Sequence, residues 1–267
     1  MENRSTKFLN LFLIFVFIIM YLPLGYLIFY SFNSGGNMNT FESFTLDHYL
    51  AVFSDKRLIN IVLNTLILAL LSSLIASVIG TLGAISIYYT KNKKIKKQIL
   101  SLNSVLMVLP DIMMGASFLI LFSMLIKIPM GFVSVLLAHI AFSIPIVVLM
   151  VLPRLYALNE DMIRAAEDLG ASDITILNKI ILPNIVSGIF AGFFMALTYS
   201  LDDFAVTFFV TGSGFSTLSI EIYSRVRTGI SLEINALSAL IFVIALVMVV
   251  IYYFIERREL KRYEQGL

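Results

Sequence analysis

Three carboxylates stand in this sequence where carboxylates are costly. Asp111 follows Pro110 inside a long apolar run, and Asp202 and Asp203 follow Tyr199 and Ser200 near the end of another. A charge at the centre of a bilayer costs about 2.5–3.5 kcal/mol even on insertion scales, so such a residue faces a cavity or a partner. No Lys or Arg lies within those runs to neutralise the acids. Uncompensated carboxylates suit a cationic ligand, and aromatic faces such as Tyr199 and Phe204 add cation–π attraction. An anionic ligand would need donors or cations instead. The plainer alternatives are that Asp202 and Asp203 cap a helix at the membrane surface, and that Asp111 is a protonated or capped acid at a proline kink.

The elements that must hold these residues are read from composition and apolar runs. The 267 residues are 59% hydrophobic and 13% charged, with mean hydropathy +0.94. A soluble domain is nearer ~25% charged. Runs beyond the ~18 residues of a spanning helix occur at about Phe8–Tyr30, Asn60–Tyr89, Ile99–Ile126, Phe132–Leu152, Ile185–Val210 and Asn235–Ile255. The expectation is an all-α, polytopic membrane protein of six transmembrane helices. The first run, flanked by Arg4 and Lys7, resembles a signal peptide but is too long and lacks a small-residue cleavage site, so it reads as a retained helix. No ten-residue alternating pattern suggests a barrel. There is no cysteine, which excludes disulfides and thiolate metal sites. On helix-rise geometry, Asp111 falls roughly halfway through the ~30 Å core, and Pro110 can kink its helix there.

Orientation follows from the basic residues. "KNKKIKK" (Lys91–Lys97) holds five lysines, and "ERRELKR" (Glu256–Arg262) holds four basic residues. Four spans separate them, so both lie on one side, which the positive-inside rule makes cytoplasmic, with both termini. Fourteen of the nineteen basic residues then lie inside and five outside. "KNKKIKK" reads as an orientation signal touching anionic lipid, and no nucleic-acid partner is implied.

Between the fourth and fifth runs lies "RAAEDLGASDITILNKIILP" (Arg164–Pro183), neither apolar enough to span nor loose enough for a linker. Pro153 is expected to close the fourth helix. Asn159 is a good N-cap, with Glu160 and Asp161 in the first turn. Met162, Ala166 and Leu169 recur at helical spacing, and Gly170 stops the helix as a C′ glycine does. Ser172 caps a second short helix with Asp173 in its first turn and Ile174, Leu177 and Ile181 as its stripe. Ala165, Ala166 and Gly170 leave a surface nearly bare of side chain. From periodicity alone, an ordinary hairpin packed on the base of the bundle explains this as well as a docking surface does.

The spacing resembles the EAA loop of importer-type ABC transporter permeases: Glu-Ala-Ala, three residues, Gly, nine residues, Ile-x-Leu-Pro. Ala165, Ala166, Gly170, Ile180, Leu182 and Pro183 match, while Arg164 stands at the family's glutamate position. With "LMVLPDIMMGASFLILF" (Leu106–Phe122), "SLDDFAVTFFVTG" (Ser200–Gly212) and "NALSALIFVIALVMV" (Asn235–Val249), the chain is similar to the polyamine branch of this MetI-like family. The resemblance implies a transport subunit rather than an enzyme, with no cofactor. It implies a heterodimer with a second permease, a separate ATPase dimer and an extracytoplasmic polyamine-binding protein. Residues 60–255 would form the transmembrane domain, after a first helix and outer loop (1–59) and before a cytoplasmic tail (256–267). Within it, 154–183 would be the coupling loop, with Arg164, Ala165, Ala166, Leu169, Gly170 and Asp173 toward the ATPase. Asp111, Tyr199, Ser200, Asp202 and Asp203 would line the pathway for spermidine or putrescine. Another cation, such as ferric iron or thiamine, is the alternative cargo.

Competing classes have less support. The chain holds no Walker A loop of its own. An intramembrane enzyme needs a constellation such as HExxH or a Ser–His pair; His48 and His139 lie far apart in sequence and show none. A self-sufficient ion-coupled transporter would not need the docking loop. His139 alone in its run reads as a satisfied interhelical histidine, and His48 beside Tyr49 as part of an interfacial belt. Gly188 and Gly192, and Ala76 and Gly80, form small-xxx-small pairs suited to close helix packing, within the chain or against the second permease.

Overall fold

The computed structural model describes the backbone of residues 4–229 and 232–264 and, within these, the side chains of 8–227, 229, 232–247 and 250. The basic flanks used for orientation at Arg4, Lys7 and 256–262 fall outside the described side chains. Among the described residues there is no strand, only an isolated bridge between Asn33 and Phe44. The chain forms two units by its contacts. One comprises residues 1–59 with 222–267, the other 60–221.

In the first unit, α1 (Arg4–Tyr30) is apolar on all sides and α2 (Asp47–Ser54) is short. The turn between them is built on Asn33, which is fully buried. Its amide donates to the carbonyls of Asn37 and Thr40, and its Oδ1 accepts from the N–H of Gly35 and Glu42. His48 sits within 2.8 Å of the Asn33 carbonyl, so it pins this loop. The α12 helix (Leu232–Glu264) packs on α1 and α2.

The second unit carries the candidate site. The helix α3 (Lys56–Tyr89) enters it from the first unit and begins four residues before the expected Asn60. The expected third span is not one rod. It breaks after α4 (Lys93–Val108), turns by 105°, and resumes as α5 (Asp111–Ile120) with a π turn at Leu121–Leu125. Leu109 and Pro110 both take extended ψ values of 135°. Proline brings no N–H and forces its predecessor from helical geometry, which accounts for the break. Counting rise from Ile99 therefore fails beyond Val108, and Asp111 opens a new helix instead of sitting midway along an old one.

The fourth run corrects another expectation. Pro153 does not close it: α6 (Phe132–Tyr156) runs through both Pro145 and Pro153 to a cap at Ala157. Then α7 (Glu160–Asp168) and α8 (Asp173–Ile176) form the predicted module, capped by Asn159 and Ser172. Gly170 adopts φ +75° between them, a left-handed turn that favours glycine. The fifth run starts earlier than Ile185. From Asp173 the helix is continuous through a π turn at Leu177–Ile181 into α9 (Leu182–Asp202). The turn widens just before Pro183, and the Leu182 N–H reaches back to the Leu177 carbonyl. The run ends at Asp202; α10 (Ala205–Val210) and α11 (Leu218–Thr228) follow.

Four helices among the described residues are long and apolar enough to cross a membrane, or five if the bent α4–α5 pair is one span. The described apolar part of α12, Leu232–Val247, is shorter than that. Lipid is as apolar as leucine, so cohesion among such helices rests on close packing and polar contacts more than on hydrophobic burial. Val147 of α6 shows how close this packing is. A Cβ on Gly80 of α3 would lie 2.7 Å from its Cβ, and one on Gly192 of α9 would lie 3.1 Å from its Cα. Both small-residue pairs thus contribute a glycine to packing inside the chain.

Candidate functional site

Two helix breaks face one another in the second unit. The first, at Leu109–Pro110, starts α5 with Asp111. The second, at Asp203–Phe204, separates α9 from α10. The short helices α5 and α10 are packed together, with Gly115 admitting the Ala205 carbonyl and the Phe209 ring. Broken helices beside a polar cavity are a recurrent arrangement in transporter sites.

The hydroxyl of Tyr199 donates to Asp111 Oδ1 at 2.8 Å. The Tyr199 ring meets the edge of Phe142 at 5.0 Å and 90°. It also lines a cavity of about 310 Å³ with Asp202, Thr198, Phe142, Ile146 and Met195. The carboxylates of Asp111 and Asp202 belong to exposed residues on the described surface. This cavity joins acceptors to aromatic and aliphatic walls. That combination suits ammonium groups separated by methylenes, since the charges meet oxygen and the spacers meet apolar surface.

Asp203 and Ser200 sit elsewhere. The Asp203 side chain is only 6% exposed. Its Oδ2 accepts from the Thr207 N–H at 2.8 Å and the Thr207 hydroxyl at 2.7 Å, and its Oδ1 from the Val206 N–H. Asp203 thereby caps α10. His139 Nε2 lies 2.8 Å from Thr207 Oγ1 and 3.4 Å from Asp203 Oδ2, and its Nδ1 lies 2.7 Å from Ser200 Oγ. Ser200 in turn meets Ser72 of α3 at 3.0 Å. The network links α3, α6, α9 and α10.

Of the five expected pathway residues, Tyr199 and Asp202 line this cavity, Asp111 is tied to it through its bond with Tyr199, and Ser200 and Asp203 join the buried network. No Ser–His pair is visible in the sequence. The fold makes one from positions 61 residues apart, with a carboxylate nearby. It is not built for nucleophilic catalysis. His139 is fully buried and Ser200 nearly so, which keeps substrate from the pair, and the Ser200 hydroxyl is shared with Ser72. The role of His139 as an interhelical contact was legible; Ser72 and Thr207 carried no signal in the sequence.

The residues expected to face an ATPase form a separate surface. The module packs inward through Ile163, Ile176 and Ile181, which join the core of α6 and α9, with Ala166 against its edge. The predicted stripe does not pack inward as a whole. Leu169 is 89% exposed, Ile174 70% and Met162 48%. Ala165, Gly170 and Asp173 are also exposed. Arg164 pairs on the surface with Glu160 at 3.0 Å, one turn back. Beside the module, Glu167, Asp173 and Tyr89 rim a cavity of about 360 Å³ floored by isoleucines.

Apolar helices able to cross a membrane, two of them broken beside a cavity lined by Asp202, fit a membrane transport subunit. Residues 78–261 match the family of binding-protein-dependent transport system inner membrane components, and the chain belongs to it. It is 38% identical over 246 residues to the spermidine/putrescine transport system permease protein PotC of Escherichia coli K12, covering 92% of each chain. It is 30% identical over 252 residues to the putrescine transport system permease protein PotI of the same strain, covering 92% of this chain and 90% of that one. Its fold is shared with a bacterial ABC transporter involved in import of the acidic polysaccharide alginate (TM-score 0.75, 19% identity, 96% of each chain). One fold thus serves in a system for an acidic cargo, so cargo charge must be argued from the cavity.

Proposed function

We propose that this chain is a permease subunit of an ATP-driven importer for polyamines, of the spermidine and putrescine class. The carrying observation is the cavity in which Asp202 and Tyr199, with Asp111 held by Tyr199, meet aromatic and aliphatic walls. Similarity to polyamine permeases along nine-tenths of the chain supports the same cargo. In this reading Asp111 and Asp202 take up successive ammonium groups, and Tyr199 orients Asp111. Ser200 and Asp203 hold the surrounding helices from behind. The six-span topology, the cytoplasmic termini and the inner-membrane location belong to the same proposal.

The chain would work with a second permease, a separate ATPase pair and an extracytoplasmic binding protein. Arg164, Ala165, Ala166, Leu169, Gly170 and Asp173 would face the ATPase. Leu169, Ile174 and Met162 supply the exposed apolar area such a contact needs. ATP-driven closure below would then move α7 and α8. The continuity of α8 with α9 through the π turn would carry that motion to the cavity.

The test is ATPase stimulation of the co-purified complex with its binding protein, across spermidine, putrescine, thiamine and ferric citrate. Stimulation by a polyamine alone is the expected result. Stimulation by thiamine or ferric citrate and not by either polyamine would overturn the cargo assignment.

A further inference from the structure

The lysine-rich turn has a structural counterpart that its sequence did not reveal. Along α4 runs a groove of about 720 Å³, lined by Lys93, Lys96 and Lys97 at one end and by Leu100, Val105 and Val108 beyond. Tyr156, from the end of α6, forms its other wall. Lys96 is held in place. Its Nζ donates to the Tyr88 carbonyl at 3.2 Å and stands 5.0 Å from the Tyr156 ring centroid. An ammonium has three protons, so this leaves donors for a further acceptor.

We infer that this groove binds one anionic phospholipid of the leaflet at the lysine-rich end, its phosphate among Lys93, Lys96 and Lys97 and one acyl chain along α4. Charge complementarity argues for this occupant. Three cations and no carboxylate line the groove, and α4 has no acidic residue in its first turn. Beyond the lysines the wall is Leu100, Val105, Val108 and the Tyr156 ring, with Ser101 and Ser104 between them. The Ser104 hydroxyl is spent on the Leu100 carbonyl of its own helix. From Lys97 to Val108 the helix rises ~16 Å, which matches half of the ~30 Å hydrocarbon core. A free anion would use the lysines and leave that apolar length uncovered. A partner helix would cover it and leave the lysines unpaired. The inference does not depend on which cargo is carried.

The chain contains no tryptophan, so Tyr156→Trp places a single, selectively excited indole in the groove wall. Phe194→Trp, at a position 58% exposed on α9, reports lipid outside it. Full-length protein is reconstituted in vesicles, and brominated phosphatidylglycerol or phosphatidylcholine is titrated in. At the Tyr156→Trp reporter, quenching by phosphatidylglycerol is expected at a mole fraction roughly tenfold lower than by phosphatidylcholine, on the scale of adjacent lysines near an anionic surface. The Phe194→Trp reporter should show no preference. Adding Lys93→Gln, Lys96→Gln and Lys97→Gln should remove the preference at the groove, while arginine at all three keeps it. Salt at about 0.5 M should weaken it without any lysine variant, by screening. Equal quenching by both lipids at Tyr156→Trp, an equal preference at both reporters, or one that survives loss of the lysines would overturn the inference. So would relief of quenching by about 10 mM inorganic phosphate, which would make the ligand a free anion, or no quenching at the groove, which would mean a protein segment covers it.

Discussion

Tyr199 reaches across 88 positions of sequence to donate its hydroxyl to Asp111, and so ties the end of α9 to the start of α5. The same ring forms a wall of the cavity that holds Asp202. Tyr199→Phe removes the donor and keeps the ring, so Phe142 still has its edge contact. A hydrogen bond to a charged group is worth about 1.5–3 kcal/mol. If Asp111 must be oriented for cargo, spermidine uptake by Tyr199→Phe falls roughly tenfold, with normal expression. In a double-mutant cycle with Asp111→Asn the two losses should be less than additive. Additive losses would mean that Tyr199 acts without Asp111.

The adjacent residues Asp202 and Asp203 should behave oppositely. Asp203→Ala removes the cap of α10 and strips partners from buried His139 and Thr207, costing about 2–4 kcal/mol from a lost cap and unsatisfied groups. Asp202→Ala removes an exposed carboxylate and should leave stability within about 0.5 kcal/mol while reducing uptake. Thermal unfolding of the purified variants measures the first effect, and labelled-polyamine uptake the second. Equal melting temperatures for the two would refute the division between cavity and support.

Both acids were visible in the sequence as costly charges, but not their separation. They are neighbours in a helix that ends between them, and the break at Asp203–Phe204 sends one side chain to the cavity and the other into the core. Caps at Asn159 and Ser172 and the glycine stop at Gly170 were legible because they depend on a few adjacent residues. The 105° break at Pro110 was legible only as a kink, since proline predicts a lost hydrogen bond and packing sets the angle. The link from His139 to Ser200 was invisible because it joins residues on different helices. Periodicity found the stripe of the α7–α8 module but could not tell which of its members face the chain's own core.

That last ambiguity can be tested at Leu169. It is 89% exposed on the described chain, so Leu169→Asp should leave the fold and melting temperature unchanged. If the module docks on an ATPase, the charge placed in an apolar contact would lower ATPase co-purification and uptake together, by tenfold or so for about 1.4 kcal/mol of lost contact. Arg164→Glu serves as a comparison. It removes a surface pair with Glu160 and should cost less than about 0.5 kcal/mol of stability. Unchanged ATPase retention in Leu169→Asp would remove this surface from the proposed contact.

At the junction of α2 and α3, Asp55 offers a pH signature. The Leu58 N–H holds its carboxyl below the usual carboxylate range, helped by the Arg225 guanidinium at 3.2 Å and the Arg57 N–H. Arg225 also binds Glu233 at 2.8 Å, so one cation joins α11, α12 and the start of α3. A lowered folded-state value means that the ionised form stabilises the fold. This contribution is fully present above the unfolded value of about 3.9 and is lost as pH falls through the lower folded value. Asp55→Ala should therefore be destabilised by about 1 kcal/mol near neutral pH, the usual cost of a lost N-cap. Its deficit relative to wild type should shrink as pH drops below about 4. Melting curves of both proteins at pH 7 and pH 3 make the comparison, and a deficit that grows at low pH would show that the carboxylate is not the source.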